Sequence, residues 1–329
     1  MLKVFITVDT EVYPLLPGWR DSALAGDIAR DIYGRTKEGD FGLVYQLDLL
    51  NSHGLKAVFF VEGLFASAVG LGPLRDIVGL IQNAGHEVQL HVHPEWLEHL
   101  PKEAWSGRAG ELIRQFTEEE QTEMIALALG NLRDSGASDV VAFRAGDYAA
   151  NFDTMRALVT NGISFDTSYN YCHLPADFRA PSGQPLVQPT LLDRIWEFPI
   201  SFFSDRPGRF RHAQLMACSH AEIASAMMAA WRDNWYAFVI VSHSCELLMD
   251  RRRRLHRPRP DRILIRRFRR LCEFLDSHRD KFETATFAGI DPREIPTTGT
   301  PHVITSSPVR TAARFAEQGA RRAVSRILK

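Results

Sequence analysis

The chain has 329 residues, 45% of them hydrophobic and 24% charged, with a formal net charge of -1. That length suits a single α/β barrel with a sizeable core, and the near-neutral balance argues against a surface built throughout to hold nucleic acid. No apolar run approaches a bilayer span, Met1 leads straight into an apolar strand with no signal segment, and the four cysteines form no CxxC pair, so reduced thiols and a cytoplasmic location are expected.

In chain order, Lys3–Val8 is short, β-branched and apolar, which predicts a first core strand. A helical stretch at Gly42–His53 stops at Gly54, and the strand Leu55–Val61 follows. Leu74–Asn83 is helical, stops at Gly85, and gives way to the strand His86–His91. Thr117, with Glu120 three residues on, caps a long helix over Glu118–Ser135. Val140–Phe143 is the next strand, Phe152–Thr160 the next helix, and Ile163–Asp166 a strand after the Asn161-Gly162 turn. Arg194–Phe198 is a candidate strand, Ala221–Asn234 is helical, and Tyr236–Ser242 is strongly apolar. Asp261–His278 carries a helical stripe of Leu264, Phe268, Leu271 and Leu275. Strands alternating with helices in this way are parallel and joined by crossovers, and their number predicts a distorted parallel (β/α) barrel of about seven strands. Residues 1–288 form the expected catalytic domain. Residues 289–329 form a basic C-terminal extension, ending in either a helix or loose chain, and are not expected to be a separate domain.

The C-terminal ends of parallel strands share one face, where chemistry tends to collect. Asp9 and Glu11 stand two residues apart after the first strand, so both point one way on an extended backbone and need a cation or an arginine to offset their repulsion. His91, His93 and Glu95 repeat that spacing after the third strand, and imidazole with carboxylate suits zinc, iron, cobalt or nickel. His86, at the opposite strand end, reads as structural. Arg144 and Asp147 follow the Val140 strand, where a guanidinium can keep a carboxylate ionised as a base. His243 leaves the last strong strand in Val-Ser-His243-Ser and is a candidate for proton transfer. Ser242, Ser244 and Cys245 lack a Gly-x-Ser-x-Gly elbow, which argues against covalent catalysis.

At these residues the sequence resembles the polysaccharide deacetylase family (the NodB homology domain) over about residues 3–288. The resemblance implies a metal-dependent deacetylase, with zinc the expected ion and an N-acetylated sugar or glycan, possibly carried on a lipid or nucleotide, the expected substrate. Thr7-Val-Asp9-Thr-Glu11 resembles the first motif, which makes Asp9 the base and Glu11 a ligand. His91-Val-His93-Pro-Glu95 resembles the His-x-x-x-His motif, with Glu95 in the second histidine position. His91 is then one ligand, and Glu95 and His93 are the alternatives for the other. Arg144-Ala-Gly-Asp147, with Asn151 beyond it, resembles the third motif: Arg144 orients Asp9, and Asp147 supplies a backbone N–H to the oxyanion. Asp166-Thr-Ser168 and Glu197 resemble further family segments, and Val239–His243 resembles the last motif, which makes His243 the acid.

The long stretch Val12–Phe41, with Tyr13, Trp19, Arg20, Arg35 and Lys37, is expected to wall the cleft, with Trp19 available to stack on a sugar ring. Eleven arginines lie between Arg251 and Arg270, opposed only by Asp261. Of these, the loop Arg251–Arg254 with Arg257 and Arg259, close in sequence to His243, suits a phosphate or carboxylate on the substrate. The other readings are a metal-dependent amidase acting on a non-sugar substrate, an inactive deacetylase-like scaffold, and nucleic-acid binding through the arginine stretch.

Overall fold

The computed structural model describes residues 1–12, 24–173, 183–249, 258–297 and 302–327, with side chains as far as residue 322. From the N-terminus come β1 (Leu2–Thr10), α1 (Leu24–Asp31), the small hairpin β2 (Arg35–Thr36) and β3 (Gly39–Asp40), α2 (Leu43–Ser52), β4 (Val58–Glu62), α3 (Phe65–Val69), α4 (Gly72–Asn83) and β5 (Glu87–Val92). Next are α5 (Glu118–Asp134), β6 (Ala142–Ala145), α6 (Phe152–Thr160), β7 (Phe165–Asp166), β8 (Thr190–Leu192), β9 (Ile195–Glu197) and the hairpin β10 (Phe202–Arg206) with β11 (Arg209–His212). The chain ends with α7 (His220–Arg232), β12 (Ala237–His243), α8 (Arg262–Ser277), β13 (Phe282–Thr284), β14 (Ile304–Thr305) and α9 (Pro308–Ile327). The expected cap of α5 forms: the Thr117 hydroxyl accepts from the Glu120 N–H, and Glu120 reaches back to the Thr117 N–H.

Seven parallel strands stand side by side in the order β12-β1-β4-β5-β6-β7-β9, with β8 antiparallel on one edge and β13 added to β1. The sheet is curled into a half-barrel. Across its open side, Ser201 donates its backbone N–H to the Val239 carbonyl at 3.1 Å and accepts the Val239 N–H on its hydroxyl at 2.9 Å. Period-two alternation separates two cores. Val4, Ile6 and Val8 of β1 face the helix layer, as do Phe59 and Val61 of β4 and Val88 and Leu90 of β5. Phe5, Val58, Phe60, Ala142, Phe165, Val239 and Val241 fill the barrel interior. Each interior column turns polar toward its C-terminal end: Phe5 leads to Thr7 and Asp9, Phe60 to Glu62, Val241 to His243. Strand register then sets those polar ends in one ring, because Asp9 pairs with His243, Glu62 with His91, His91 with Arg144, and Asp166 with Glu197.

The chain beyond residue 288 packs on this frame. Ile290 and Ile295 join the barrel interior, and Ile304 extends the β10–β11 hairpin as β14. In α9 the Arg314 guanidinium is fully buried against Asp205 and Glu222, also buried. Among the described residues no helix is long and apolar enough to cross a membrane.

Candidate active site

Asp9 is buried at the end of β1, and Arg144 bonds its Oδ1 from the end of β6. The arginine is itself fully buried. It donates to the Thr7 hydroxyl at 2.9 Å and the Thr167 carbonyl at 3.2 Å, and lies 4.4 Å above the Phe60 ring. Every part of the guanidinium is thereby fixed, and Asp9 has one oxygen held and the other, Oδ2, turned to the mouth. Next to Arg144, Asp166 and Glu197 stand opposite one another in register. Burial pushes both carboxyls up, and Glu197 goes well above the usual range because the charge of Asp166 adds to it.

Glu11, His91 and His93 are buried and bring their ligand atoms within 4.8 Å of one another, a group able to hold a metal ion. His91 donates Nδ1–H to the Arg144 carbonyl at 2.8 Å, which leaves Nε2 to face Glu11 Oε2 at 3.1 Å. His93 points Nε2 at the same oxygen, at 2.6 Å, and its Nδ1 meets Glu95 Oε2 at 3.1 Å. Glu95 therefore stands behind His93, on the far edge of the ring from Glu11. Burial pushes Glu11 up and His93 down, but their mutual charge outweighs it. Glu11 is held well below the usual carboxylate range and His93 well above the usual imidazole range. His93 thus offsets the charge of Glu11, and two imidazoles with one carboxylate are a zinc-type donor set. The residues fit a divalent ion, and Glu95 supplies the outer carboxylate that commonly orients a ligating imidazole.

His243 closes the ring of groups. Its Nε2 lies 3.9 Å from Asp9 Oδ2 and 3.8 Å from Glu11 Oε1. The Gln214 side-chain nitrogen lies 3.3 Å from Nδ1, and Nε2 is the nitrogen facing the acids. Gln214 is braced by His212 at 2.7 Å, a histidine that burial pushes down to about 4. Glu246 accepts the His243 backbone N–H at 3.0 Å, and Gln46 donates to the carbonyls of His243 and Ser244, both at 3.0 Å. The Ser244 hydroxyl is committed to the Asp31 carbonyl at 2.6 Å.

Sequence reasoning left out several of these supports. Glu62 ends β4 and accepts from the N–H groups of Leu64, Phe65 and His93, at 3.1, 2.7 and 3.3 Å, pinning the segment that carries His93; burial pushes it up to about 7. Its place at a strand exit was a usable signal. Glu246, three residues past His243, was another. Gln214 had none, since it follows a hairpin of short, charged strands. Asp147 is exposed on a left-handed turn (φ 51°), followed by Tyr148 in the same conformation (φ 57°). Asn151 caps α6 by accepting the Thr154 N–H at 3.0 Å. Tyr13, Trp19, Arg20 and Arg251–Arg254 with Arg257 lie outside the described residues. Arg35 makes only an exposed pair with Asp40 at 3.6 Å. The arginine stretch is no uniform cationic face, because Arg267 is buried, donating to the Leu215 carbonyl at 2.8 Å and to Glu317 at 2.7 Å.

Gly146 is needed for a close approach. A Cβ there would stand 2.7 Å from the His93 ring. Gly146→Ala is expected to push His93 off its line to Glu11 and weaken zinc binding by about 10-fold or more, read by competition with a chromophoric chelator while the thermal midpoint changes little.

No family model and no curated protein matches the sequence. Among solved structures the chain is similar to a Mycobacterium smegmatis protein provisionally assigned as a polysaccharide deacetylase, with a TM-score of 0.57 at 17% identity over 93% of this chain and 94% of that one. It is also similar to a family 4 carbohydrate esterase from Streptomyces lividans, solved with acetate (TM-score 0.45, 12% identity, 92% and 98% covered). A family 4 pseudoenzyme from Bacillus anthracis is a further neighbour (TM-score 0.37, 10% identity, 74% and 54% covered). The architecture is thus an α/β half-barrel with its polar ring at the strand exits. Its fold is that of the polysaccharide deacetylases.

Proposed function

We propose that the protein is a metal-dependent hydrolase that removes the acetyl group from an N-acetylated sugar or glycan. The observation that carries this reading is the juxtaposition of an arginine-held Asp9, the Glu11–His91–His93 group and the Nε2 of His243 at one barrel mouth. Glu11, His91 and His93 would hold the ion, most simply zinc, which when bound supplies a Lewis acid for the amide carbonyl and for water. Asp9 Oδ2 takes a proton from the attacking water while Arg144 holds the other oxygen. The water oxygen bonds to the acetyl carbon, and the Asp147 backbone N–H is proposed to meet the negative oxygen that results. As the C–N bond breaks, His243, acting as the imidazolium, gives its Nε2 proton to the departing nitrogen and becomes the neutral ring, leaving acetate and a free amine; the proton taken up by Asp9 then recharges it. A lipid, a nucleotide or a polymer can carry the acetylated unit.

The test is acetate release by the zinc-loaded full chain from N-acetylated oligosaccharides and, in parallel, from N-acetylated peptides. Release from the sugars is the expected result. Release from the peptides alone establishes a non-sugar amidase, and retained zinc with no acetate from either establishes a scaffold without activity.

Two further outcomes follow. His243→Ala is expected to lose about 10²–10⁴-fold on amides but far less on aryl acetates, whose leaving group departs without a proton. His93 sets Nε2 on Glu11 and Nδ1 on Glu95, an arrangement that favours the charged imidazole, and must free Nε2 of its proton to ligate. Zinc affinity is therefore expected to rise with pH, and titration calorimetry in two buffers of different ionisation enthalpy to report close to one proton released.

A further inference from the structure

Helix α9 lies on the barrel the wrong way round for a helix held by its apolar stripe. Its inward face is polar. Thr311 and Arg314 are buried, Arg314 against Asp205 and Glu222, and Arg321 pairs with Asp261. Its outward face carries Val309, 77% exposed, and Phe315, 43% exposed. The Phe315 ring is flanked by the guanidiniums of Arg314 at 4.7 Å and Arg206 at 5.2 Å.

Phe315 is also the shared wall of two depressions. One, of about 510 Å³, is mostly apolar and runs between α9 and the β10–β11 turn, past Pro207, Pro308 and Ala312. The other, of about 430 Å³, is lined by Arg211, Arg321 and Arg322 together with Met216 and Met249. Of the acids in this region, Asp205, Glu222 and Asp261 are buried beneath it, with Arg211 and Arg321 paired to Asp205 and Asp261, and the exposed Glu317 is taken up by Arg267, whereas Arg206 and Arg322 are exposed. The surface therefore offers a cationic hollow directly beside an apolar one.

We infer that this face docks on a bilayer carrying anionic phospholipids. Phe315 and Val309 enter the boundary between headgroups and acyl chains, and Arg211, Arg321 and Arg322 meet lipid phosphate. A soluble polyanion would match the arginines and leave the apolar groove and the projecting Phe315 without a partner. A second copy of the chain fits poorly, because a two-fold contact sets this patch against itself and brings its surplus cations together. An anionic bilayer supplies both complements at once. This inference does not depend on the deacetylase reading and survives if that reading fails.

The test is co-sedimentation of the full chain with vesicles of phosphatidylcholine alone or mixed with phosphatidylglycerol. Pelleting is expected with the mixed vesicles only, and high salt should reverse it. Phe315→Ser and Arg322→Glu, both at exposed positions outside the catalytic machinery, are each expected to weaken binding about fivefold or more, with acetate release from a soluble substrate unchanged. No pelleting with anionic vesicles at low salt overturns the inference, as does binding insensitive to both variants. Equal binding to uncharged vesicles overturns the role of the arginines. A dimer lost in Phe315→Ser, without vesicle binding, assigns the face to a second copy instead.

Discussion

With asparagine in place of Asp9, acetate release is expected to fall by about 10²–10⁴-fold while the zinc content stays at the level of the unaltered chain. The amide oxygen can still accept from Arg144, so the ring of groups at the barrel mouth keeps its shape. What is lost is the capacity of the second oxygen to accept a proton. Glu11 does not replace it, because its carboxylate is committed to both imidazoles of the proposed metal group. Zinc content by atomic emission, beside initial rates of acetate release, separates these effects. Turnover near that of the unaltered chain removes Asp9 from the mechanism, and a joint loss of zinc and activity makes it a structural support of the metal group.

Arg144→Met is expected to be the most damaging single change to the fold, at about 3–5 kcal/mol. The side chain is 0% exposed, and its volume is roughly matched by methionine, so the cost is mainly electrostatic. Asp9 would stay buried without its cation, and the Thr167 carbonyl and Thr7 hydroxyl would each lose a donor. The nearby Asp166–Glu197 pair also loses the positive charge that eases its burial. Arg144→Lys restores a charge but not the fork that reaches three partners, and an intermediate loss is expected. Urea unfolding followed by circular dichroism measures this, and a loss under about 1 kcal/mol for the methionine variant would show that the arginine behaves like a surface ion pair.

Much of the half-barrel was legible because its strands are apolar runs that follow helices stopped at Gly54, Gly85 and Gly136, and α6 formed over the expected Phe152–Thr160. Reading polar groups at strand exits reached Asp9, Glu11, His91, Arg144 and His243 for the same reason: alternation along an extended strand is strict. That alternation ends after His93. His93 is the last extended residue, at φ -113° and ψ 107°, and Pro94–His99 turns into a 3-10 helix. The every-second-residue rule therefore holds for His93 and no longer applies to Glu95, which turns behind the ring it was expected to rival. The hairpin Phe202–His212 escaped notice because FFSDR and RFRH are short, charged and lack alternation. The orientation of α9 could not be read from periodicity either, since the buried ion pairs of Arg314 decide it against the apolar stripe.

The most direct test of the proposed centre is diffraction from a zinc-soaked crystal, recorded on both sides of the zinc absorption edge. A single strong anomalous peak is expected, enclosed by the Glu11 carboxylate and the Nε2 atoms of His91 and His93, with Asp9 and His243 beside it and Glu95 apart from it. A peak held by Glu95, a peak away from the barrel mouth, or acetate release undiminished in zinc-free protein that shows no peak there would contradict it.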